Sequence, residues 1–126
     1  MPMNSNQPPT VFIVDDDDAI RFAISMLVET CGWKARTYAT AEEFVETQGE
    51  TREPGCLVLD LNMPGTTGAD LLEQTPPWLP VIVITGYADS PLAERARRAG
   101  ARAVLKKPFS DELLLGHIRQ ALELTT

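Results

Sequence analysis

The sequence has little of what several common kinds of site and protein require. It contains one histidine, His117, and two cysteines, Cys31 and Cys56, which lie far apart without metal-ligand spacing. We therefore expect two reduced thiols in a cytoplasmic protein and no metal centre built on histidine or cysteine. No apolar run is long enough to cross a bilayer, and residues 1–9 lack the features of a signal peptide. We expect those nine residues to form a flexible tail and the protein to have no membrane partner.

Basic residues are also scarce. The chain has 11 Lys and Arg against 18 Asp and Glu, a net charge of −7. Because proteins bind nucleic acid mainly through clusters of basic side chains, we do not expect this domain itself to bind DNA. One local arginine cluster is interpreted as a solvated helix face or, alternatively, as a protein docking surface. Its members are Arg95, Arg97, Arg98 and Arg102.

The sequence does contain five short apolar segments, each followed by a helical pattern. With 126 residues and 44% hydrophobic content, the chain can form one domain with a substantial core. The predicted strands are 11–14, 33–38, 57–59, 81–85 and 103–105. Their alternation with helices predicts an α/β three-layer sandwich, a (βα)5 unit with a parallel five-stranded sheet. Periodicity leaves the strand order open; the flavodoxin-like order 2-1-3-4-5 would place the first and third strands side by side.

Capping residues and apolar spacing predict where the helices begin and what they bury. Thr40 and Glu43 have the spacing of a capping box, opening a helix that should bury Ala41, Phe44 and Val45. A helix over 68–74 is short and weakly indicated. The other predicted N-caps are Asp18, Ser90 and Ser110.

Polar side chains stand at the carboxyl ends of four of the predicted strands. Asp15 and Asp16 follow the first strand, Asp60 ends the third, Thr85 ends the fourth and Lys107 follows the fifth. In open α/β sheets the functional crevice lies beyond these ends, so the five residues should converge there. Singly, each residue is ordinary at a strand end. Together they indicate a site.

Three carboxylates in one crevice repel one another. At an effective dielectric constant near 20, two charges about 4 Å apart cost roughly 4 kcal/mol. A hard divalent cation relieves this repulsion, and Mg²⁺ prefers one or two carboxylates together with waters and a phosphate oxygen. We therefore predict a Mg²⁺ site formed by Asp15, Asp16, Asp60 and the main-chain carbonyl of Asn62.

With the crevice neutralised, Asp60 can act as a nucleophile toward a phosphoryl group and form an acyl phosphate. Lys107 supplies a cation for the phosphoryl oxygens, and Thr85 supplies a hydroxyl that can donate a hydrogen bond to them.

Four motifs together resemble the receiver domains of two-component response regulators. They are VDD at 14–16, LDLNMPG at 59–65 with Gly68, VITG at 83–86 and KPF at 107–109. The resemblance covers about residues 10–124, is to CheY-like receivers, and is strongest to the FixJ type of transcriptional regulator. The combination is far more specific than any of its short pieces.

The resemblance implies that Asp60 accepts a phosphoryl group from a sensor histidine kinase with Mg²⁺ bound. It assigns Asp15 and Asp16 as the acidic pair, Thr85 as the switch hydroxyl and Lys107 as the phosphate-binding lysine, with a cis bond before Pro108. Phosphorylation would change the surface of the fourth helix, fifth strand and fifth helix, controlling dimerisation or an output domain. Such a domain is not an enzyme beyond its own phosphorylation and dephosphorylation.

Two features depart from the family's pattern. Val104 stands where receivers usually carry Phe or Tyr, so we expect the loop 86–89, with Tyr87, to carry the signal instead. FixJ-type regulators usually continue into a DNA-binding domain, whereas this sequence stops at Thr126. Two interpretations follow: a domain excised from a transcription regulator, which reaches DNA only through that output domain, or a stand-alone receiver acting through protein contacts.

Three alternatives use the same fold or site differently. A haloacid-dehalogenase-type phosphatase requires a second Asp two residues after its nucleophile, where this chain has Asn62. An FMN carrier requires a hydroxyl- and glycine-rich loop after the first strand, where the aspartates at 15–18 would repel the FMN phosphate. A pseudo-receiver that only docks partners is disfavoured by the intact set of five polar residues.

Overall fold

The computed structural model describes residues 8–48, 53–65 and 67–123. Most of the predicted tail, residues 1–7, lies outside this description, as does the last residue of the predicted domain, 124. No helix among the described residues is long and apolar enough to cross a membrane.

Five parallel strands form one sheet in the order β2-β1-β3-β4-β5, so the flavodoxin-like order is confirmed. The strands are β1 Thr10–Val14, β2 Lys34–Tyr38, β3 Gly55–Asp60, β4 Val81–Thr85 and β5 Ala103–Lys106. The helices are α1 Asp18–Thr30, α2 Ala41–Gln48, α3 Gly68–Gln74, α4 Pro91–Arg98 and α5 Asp111–Glu123. β1 and β3 pair directly, Val14 opposite Leu59, which brings their carboxyl ends to the same point of the sheet edge.

The core consists of two apolar layers, one on each face of the sheet. Along β1, Phe12 and Val14 belong to the layer under α2, α3 and α4, while Val11 and Ile13 belong to the layer under α1 and α5. All residues of β1, β3 and β4 are buried. A central parallel strand covered on both faces needs apolar residues at every position, which explains the continuous apolar runs of the sequence.

The predicted N-caps are correct for two helices and wrong by one residue for a third. Ser90 caps α4, and the Ser110 side chain accepts a hydrogen bond at the start of α5. For α1 the cap is Asp17, whose carboxylate accepts from the amide of Ala19 at 2.8 Å, not Asp18. In a run of four aspartates any member can cap, and here Asp17 has the extended backbone of an N-cap and its amide donates to Asp15 Oδ1 at 2.9 Å.

The capping box at α2 forms in a shifted version. The Glu43 amide donates to the Thr40 hydroxyl at 3.1 Å, while the Glu43 carboxylate accepts from the amide of Ala39 at 3.3 Å. Phe44 is buried, but the prediction that Val45 is buried was wrong, because its side chain is 44% exposed. Consecutive helical residues point about 100° apart, and only one of the two can face the sheet.

The start of α3 is packed closely against the end of β3. A Cβ on Gly68 would lie 2.4 Å from the carbonyl oxygen of Asp60 and 2.7 Å from the Cα of Leu61, so only glycine fits. The Gly68 amide donates to the Leu61 carbonyl at 3.1 Å. A capping box between Thr67 and Asp70, which sequence reasoning missed, then starts the helix. These contacts set the direction in which the chain leaves Asp60.

Arg95 differs from the expected solvated cation. Its guanidinium lies 2.8 Å from Asp70 Oδ1 and 2.6 Å from Glu73 Oε1, and so links α4 to α3. Hydrogen bonds from Arg95 hold the pKa values of both carboxyls below their usual range. The helix spacing of the arginines indicated a shared face, but only the packing of α3 beside α4 brings Arg95 its two partners.

Candidate functional site

The crevice at the carboxyl edge of the sheet contains the three predicted carboxylates. Asp15, directly after β1, is completely buried, and Asp60, the last residue of β3, is 3% exposed. Asp16 is exposed. Their carboxylate oxygens lie within 4.8 Å of one another. The pairing of β1 with β3 brings the group together, as expected from the strand order.

Asp15 is held through every polar atom it has. Its amide donates to the Tyr38 carbonyl at 3.2 Å, and its carbonyl accepts from Arg21 Nη1 at 2.6 Å. Oδ1 accepts from the Asp17 amide at 2.9 Å, and Oδ2 lies 3.3 Å from Lys107 Nζ. Sequence reasoning missed Arg21, whose only signal was its position on the first turn of α1. Two of these contacts hold the Asp15 backbone and two hold its carboxylate, so the residue is fixed in place by the protein itself.

Asp60 is less constrained. Its Oδ1 accepts from the Asn62 amide at 3.2 Å and lies 3.5 Å from Lys107 Nζ. No described residue donates a hydrogen bond to the other oxygen, Oδ2. Lys107 thus lies between the two buried carboxylates, and one Asp60 oxygen remains available for chemistry.

The metal-free crevice holds negative charge that its surroundings only partly compensate. Burial raises the pKa of Asp60, and the neighbouring Asp15 charge raises it further, while the Asn62 amide and Lys107 oppose this. Burial likewise raises the pKa of Asp15 against the Asp17 amide and Lys107. Because both pKa values are raised, the ionised carboxylates destabilise the folded state at neutral pH.

We therefore expect Asp60→Asn to stabilise the metal-free domain at pH 7, by about 1–2 kcal/mol after partial compensation by Lys107. A raised folded-state pKa means that folding binds a proton, so the parent loses stability as pH rises above the ordinary carboxyl value of 3.8. The gain should shrink as the pH falls through the raised pKa of folded Asp60 and disappear well below 3.8, where both states are protonated, and it should also shrink in saturating Mg²⁺. Urea unfolding of both proteins between pH 3 and pH 8 measures it.

Asp70→Asn is a control with the opposite sign, since the pKa of Asp70 is lowered. This variant should lose stability at neutral pH, and the loss should disappear in acid. An Asp60→Asn variant that is less stable than the parent at pH 7 would contradict the charge argument.

Thr85 is completely buried at the end of β4, and its hydroxyl has two partners. It donates to Asn62 Oδ1 at 2.6 Å and accepts from the Tyr87 amide at 3.1 Å. The Thr85 carbonyl accepts from the Lys107 amide at 2.8 Å, and the bond from Lys107 to Pro108 is cis. Sequence reasoning placed Thr85 at the crevice but missed its bond to the Asn62 side chain, because that contact joins the end of β4 to the loop after β3.

The oxygens of the crevice fit a small divalent cation. The Asp16 carboxylate has no hydrogen bond or ion pair with a described residue, and no described residue donates to the Asn62 carbonyl. Two buried carboxylates and the unpartnered Asp16 carboxylate therefore form a group with the hard, oxygen-only chemistry that Mg²⁺ prefers.

A model of the family described as "Response regulator receiver domain" matches residues 11–119. The chain belongs to this family. The match favours a receiver over the phosphatase and the FMN carrier considered from sequence. As a receiver domain, it is a signalling module of two-component response regulators.

Individual relatives agree with this assignment. The chain is 39% identical over 123 residues to response regulator protein TmoT of Ectopseudomonas mendocina, covering 95% of this chain and 56% of TmoT. It is 36% identical over 115 residues to transcriptional regulatory protein FixJ of Azorhizobium caulinodans, covering 89% and 54%. The resemblance to the FixJ type is therefore confirmed.

The fold agrees with a solved CheY-like receiver domain protein from Methanospirillum hungatei. That structure has a TM-score of 0.85 and 29% identity, covering 93% of this chain and 95% of the other. By contrast, the chain spans about half the length of the curated relatives it matches.

Proposed function

We propose that this receiver accepts a phosphoryl group on Asp60 in a Mg²⁺-dependent reaction. The donor would be the phosphohistidine of a sensor histidine kinase or a small phosphodonor such as acetyl phosphate. The observation that carries the proposal is the cluster of three carboxylates within 4.8 Å, with Lys107 in contact with two of them. We take residues 10–124 as the functional domain and 1–9 as its tail.

Asp15, Asp16, Asp60 and the Asn62 carbonyl would hold the cation. When bound, Mg²⁺ would neutralise the carboxylates and screen the phosphoryl oxygens from them. Asp15 is already fixed by its four contacts, so binding would order chiefly the exposed Asp16.

The covalent step uses the less constrained acid. An Asp60 oxygen attacks phosphorus, and the bond from phosphorus to the donor nitrogen or oxygen breaks, its electron pair leaving with the donor. The product is an acyl phosphate on Asp60. Lys107, 3.5 Å from Asp60 Oδ1, would pair with the phosphoryl oxygens. Attack of water on phosphorus would later restore the carboxylate and release inorganic phosphate.

The output would be a change at the surface of α4, β5 and α5. A phosphoryl group adds about −1.5 to −2 charge and three acceptor oxygens, which would draw the Thr85 hydroxyl toward Asp60. The amide of Tyr87, now bonded to that hydroxyl, would be released, and the loop 86–89 would reposition α4. Val104, in β5, is partly buried against the core layer under α2, α3 and α4. It has no aromatic ring that could rotate when the domain is phosphorylated.

Control of transcription through an output domain is the biological role we propose. Support comes from the description of FixJ as a transcriptional regulatory protein and from the greater length of the relatives. A cytoplasmic location belongs to the same proposal. The alternative is a receiver that acts by protein contacts alone, without DNA binding.

The direct test is intact-mass spectrometry of the protein incubated with acetyl phosphate. One phosphoryl adduct should form with Mg²⁺ and be absent after chelation by EDTA. Equal labelling with and without Mg²⁺ would contradict the proposed reaction.

Phosphorylation should also promote dimerisation through the α4 and β5 surface, which carries Arg98 and Lys106. Sedimentation with and without acetyl phosphate measures this change. We expect Thr85→Ala to be phosphorylated but to dimerise less, because the hydroxyl that links Asp60 to the loop is missing. Equal dimerisation of this variant and the parent would show that the signal takes another route.

A further inference from the structure

The Thr85 hydroxyl is fully engaged in the structure. It has one proton, which it donates to Asn62 Oδ1 at 2.6 Å, and it accepts from the Tyr87 amide at 3.1 Å. The Thr85 side chain is completely buried, whereas Asn62 at the other end of the bond is exposed. Donation to a phosphoryl oxygen on Asp60 therefore requires that the bond to Asn62 be broken.

Asn62 takes part in the site through two separate groups. Its backbone lies at the crevice, where its amide donates to Asp60 Oδ1 at 3.2 Å and its carbonyl is a proposed metal ligand. Its side chain instead accepts the hydrogen bond from Thr85. Because a side-chain substitution leaves the backbone groups in place, the two roles can be separated by mutation.

From this geometry we infer that the Asn62 side chain is a latch that holds Thr85 in the unphosphorylated conformation. We call the Asn62 Oδ1 to Thr85 Oγ1 hydrogen bond the Asn62–Thr85 latch. This inference rests on the proposed function and deepens it by naming what the phosphoryl group competes with. A phosphoryl oxygen accepts a stronger, charge-assisted bond than an amide oxygen, so phosphorylation opens the latch.

Opening the latch also releases the neighbouring loop. The same hydroxyl that donates to Asn62 accepts from the Tyr87 amide, so rotation of Thr85 breaks both bonds together. Tyr87 is 69% exposed and carries few packing contacts that would oppose its movement. The latch thus ties the conformation of the loop 86–89 to the state of Asp60.

The test is a double-mutant cycle with beryllium fluoride, a tetrahedral mimic of a phosphoryl group, in saturating Mg²⁺. A neutral hydrogen bond changes an equilibrium by about fivefold, so Asn62→Ala should bind the mimic about fivefold more tightly than the parent. In a Thr85→Val background, which is isosteric but has no hydroxyl, Asn62→Ala should change the affinity little. In a Thr85→Ser background, which keeps a hydroxyl, Asn62→Ala should again increase the affinity for beryllium fluoride.

An equilibrium affinity is measured because a smaller side chain could speed phosphorylation merely by widening access to Asp60. If Asn62→Ala changes the affinity for beryllium fluoride equally in the parent and in the Thr85→Val background, Asn62 acts independently of Thr85. That result would overturn the latch. No effect in either background overturns it as well. A parent that does not bind beryllium fluoride, or an Asp60→Asn variant that binds it equally well, would overturn the proposed function and the latch with it.

A second readout needs neither phosphoryl group nor mimic. In the unphosphorylated parent the Tyr87 amide is protected by Thr85 Oγ1. Amide exchange measured by NMR should therefore be about fivefold faster at Tyr87 in Asn62→Ala, and insensitive to Asn62 once Thr85 is replaced by Val. Unchanged Tyr87 exchange in Asn62→Ala would contradict the latch even where phosphorylation proceeds as proposed.

Discussion

Asp60→Asn is expected to abolish phosphorylation of the domain. The substitution keeps the shape of the side chain and an oxygen that can accept from the Asn62 amide. It replaces the nucleophilic carboxylate with an amide, which cannot form the acyl phosphate. Intact-mass spectrometry after incubation with acetyl phosphate and Mg²⁺ should show no phosphoryl adduct. The same variant is expected to be more stable than the parent when both are measured without Mg²⁺.

Asp70→Asn is the matched control for this loss. It removes a carboxylate from the start of α3, outside the crevice, and should be phosphorylated as fully as the parent. An unchanged phosphorylated fraction in Asp60→Asn would show that the acceptor lies elsewhere and would end the receiver mechanism proposed for this chain. Peptide mapping of any remaining adduct would then locate the acceptor.

Asp16→Ala is expected to weaken Mg²⁺ binding by at least about tenfold, the scale found for loss of support at metal sites. Asp16 is exposed and has no described partner, so its removal should leave the fold and melting temperature nearly unchanged. The variant loses one proposed oxygen ligand, and Asp15 and Asp60 cannot replace it because each is already counted among the proposed ligands. Isothermal calorimetry with Mg²⁺ measures the change.

Asp18→Ala is a control that separates the loss of a metal ligand from the loss of a nearby negative charge. Asp18 is an aspartate two residues further along the chain, paired with Arg21 and 92% exposed at its side chain. The Asp18→Ala substitution should alter Mg²⁺ affinity only slightly, because its effect is a long-range electrostatic interaction that salt screens. If Asp16→Ala binds Mg²⁺ as tightly as the parent does, the metal site is misplaced.

The two variants differ in what they report. Asp60→Asn tests the reacting atom, whereas Asp16→Ala tests the cation on which the reaction is proposed to depend. Because Asp60 is also a proposed Mg²⁺ ligand, the two roles separate only in saturating Mg²⁺, where phosphorylation should recover in Asp16→Ala and stay absent in Asp60→Asn.

The sequence by itself determined the α/β class, the number of elements and which residues stand at the strand ends, while the strand order came from the structure. Buried parallel strands require continuous apolar runs, and Gly and Pro signals bound them, so five strands and five helices could be predicted. The polar residues at the strand ends follow from the same pattern, since parallel strands share one carboxyl edge. Asp15, Asp60, Thr85 and Lys107 could thus be located before the structure was known.

Only the tertiary structure decided which atoms those residues contact. Asp17 rather than Asp18 is the cap, and its amide is held by the buried Asp15 carboxylate, a contact that a run of four aspartates does not specify. The bond from Thr85 to Asn62, the contact of Arg21 with the Asp15 carbonyl and the pairing of Arg95 with α3 each join different elements. Hydrogen bonds require separations correct to a few tenths of an ångström, and that accuracy arises from packing between elements, not from spacing along the chain.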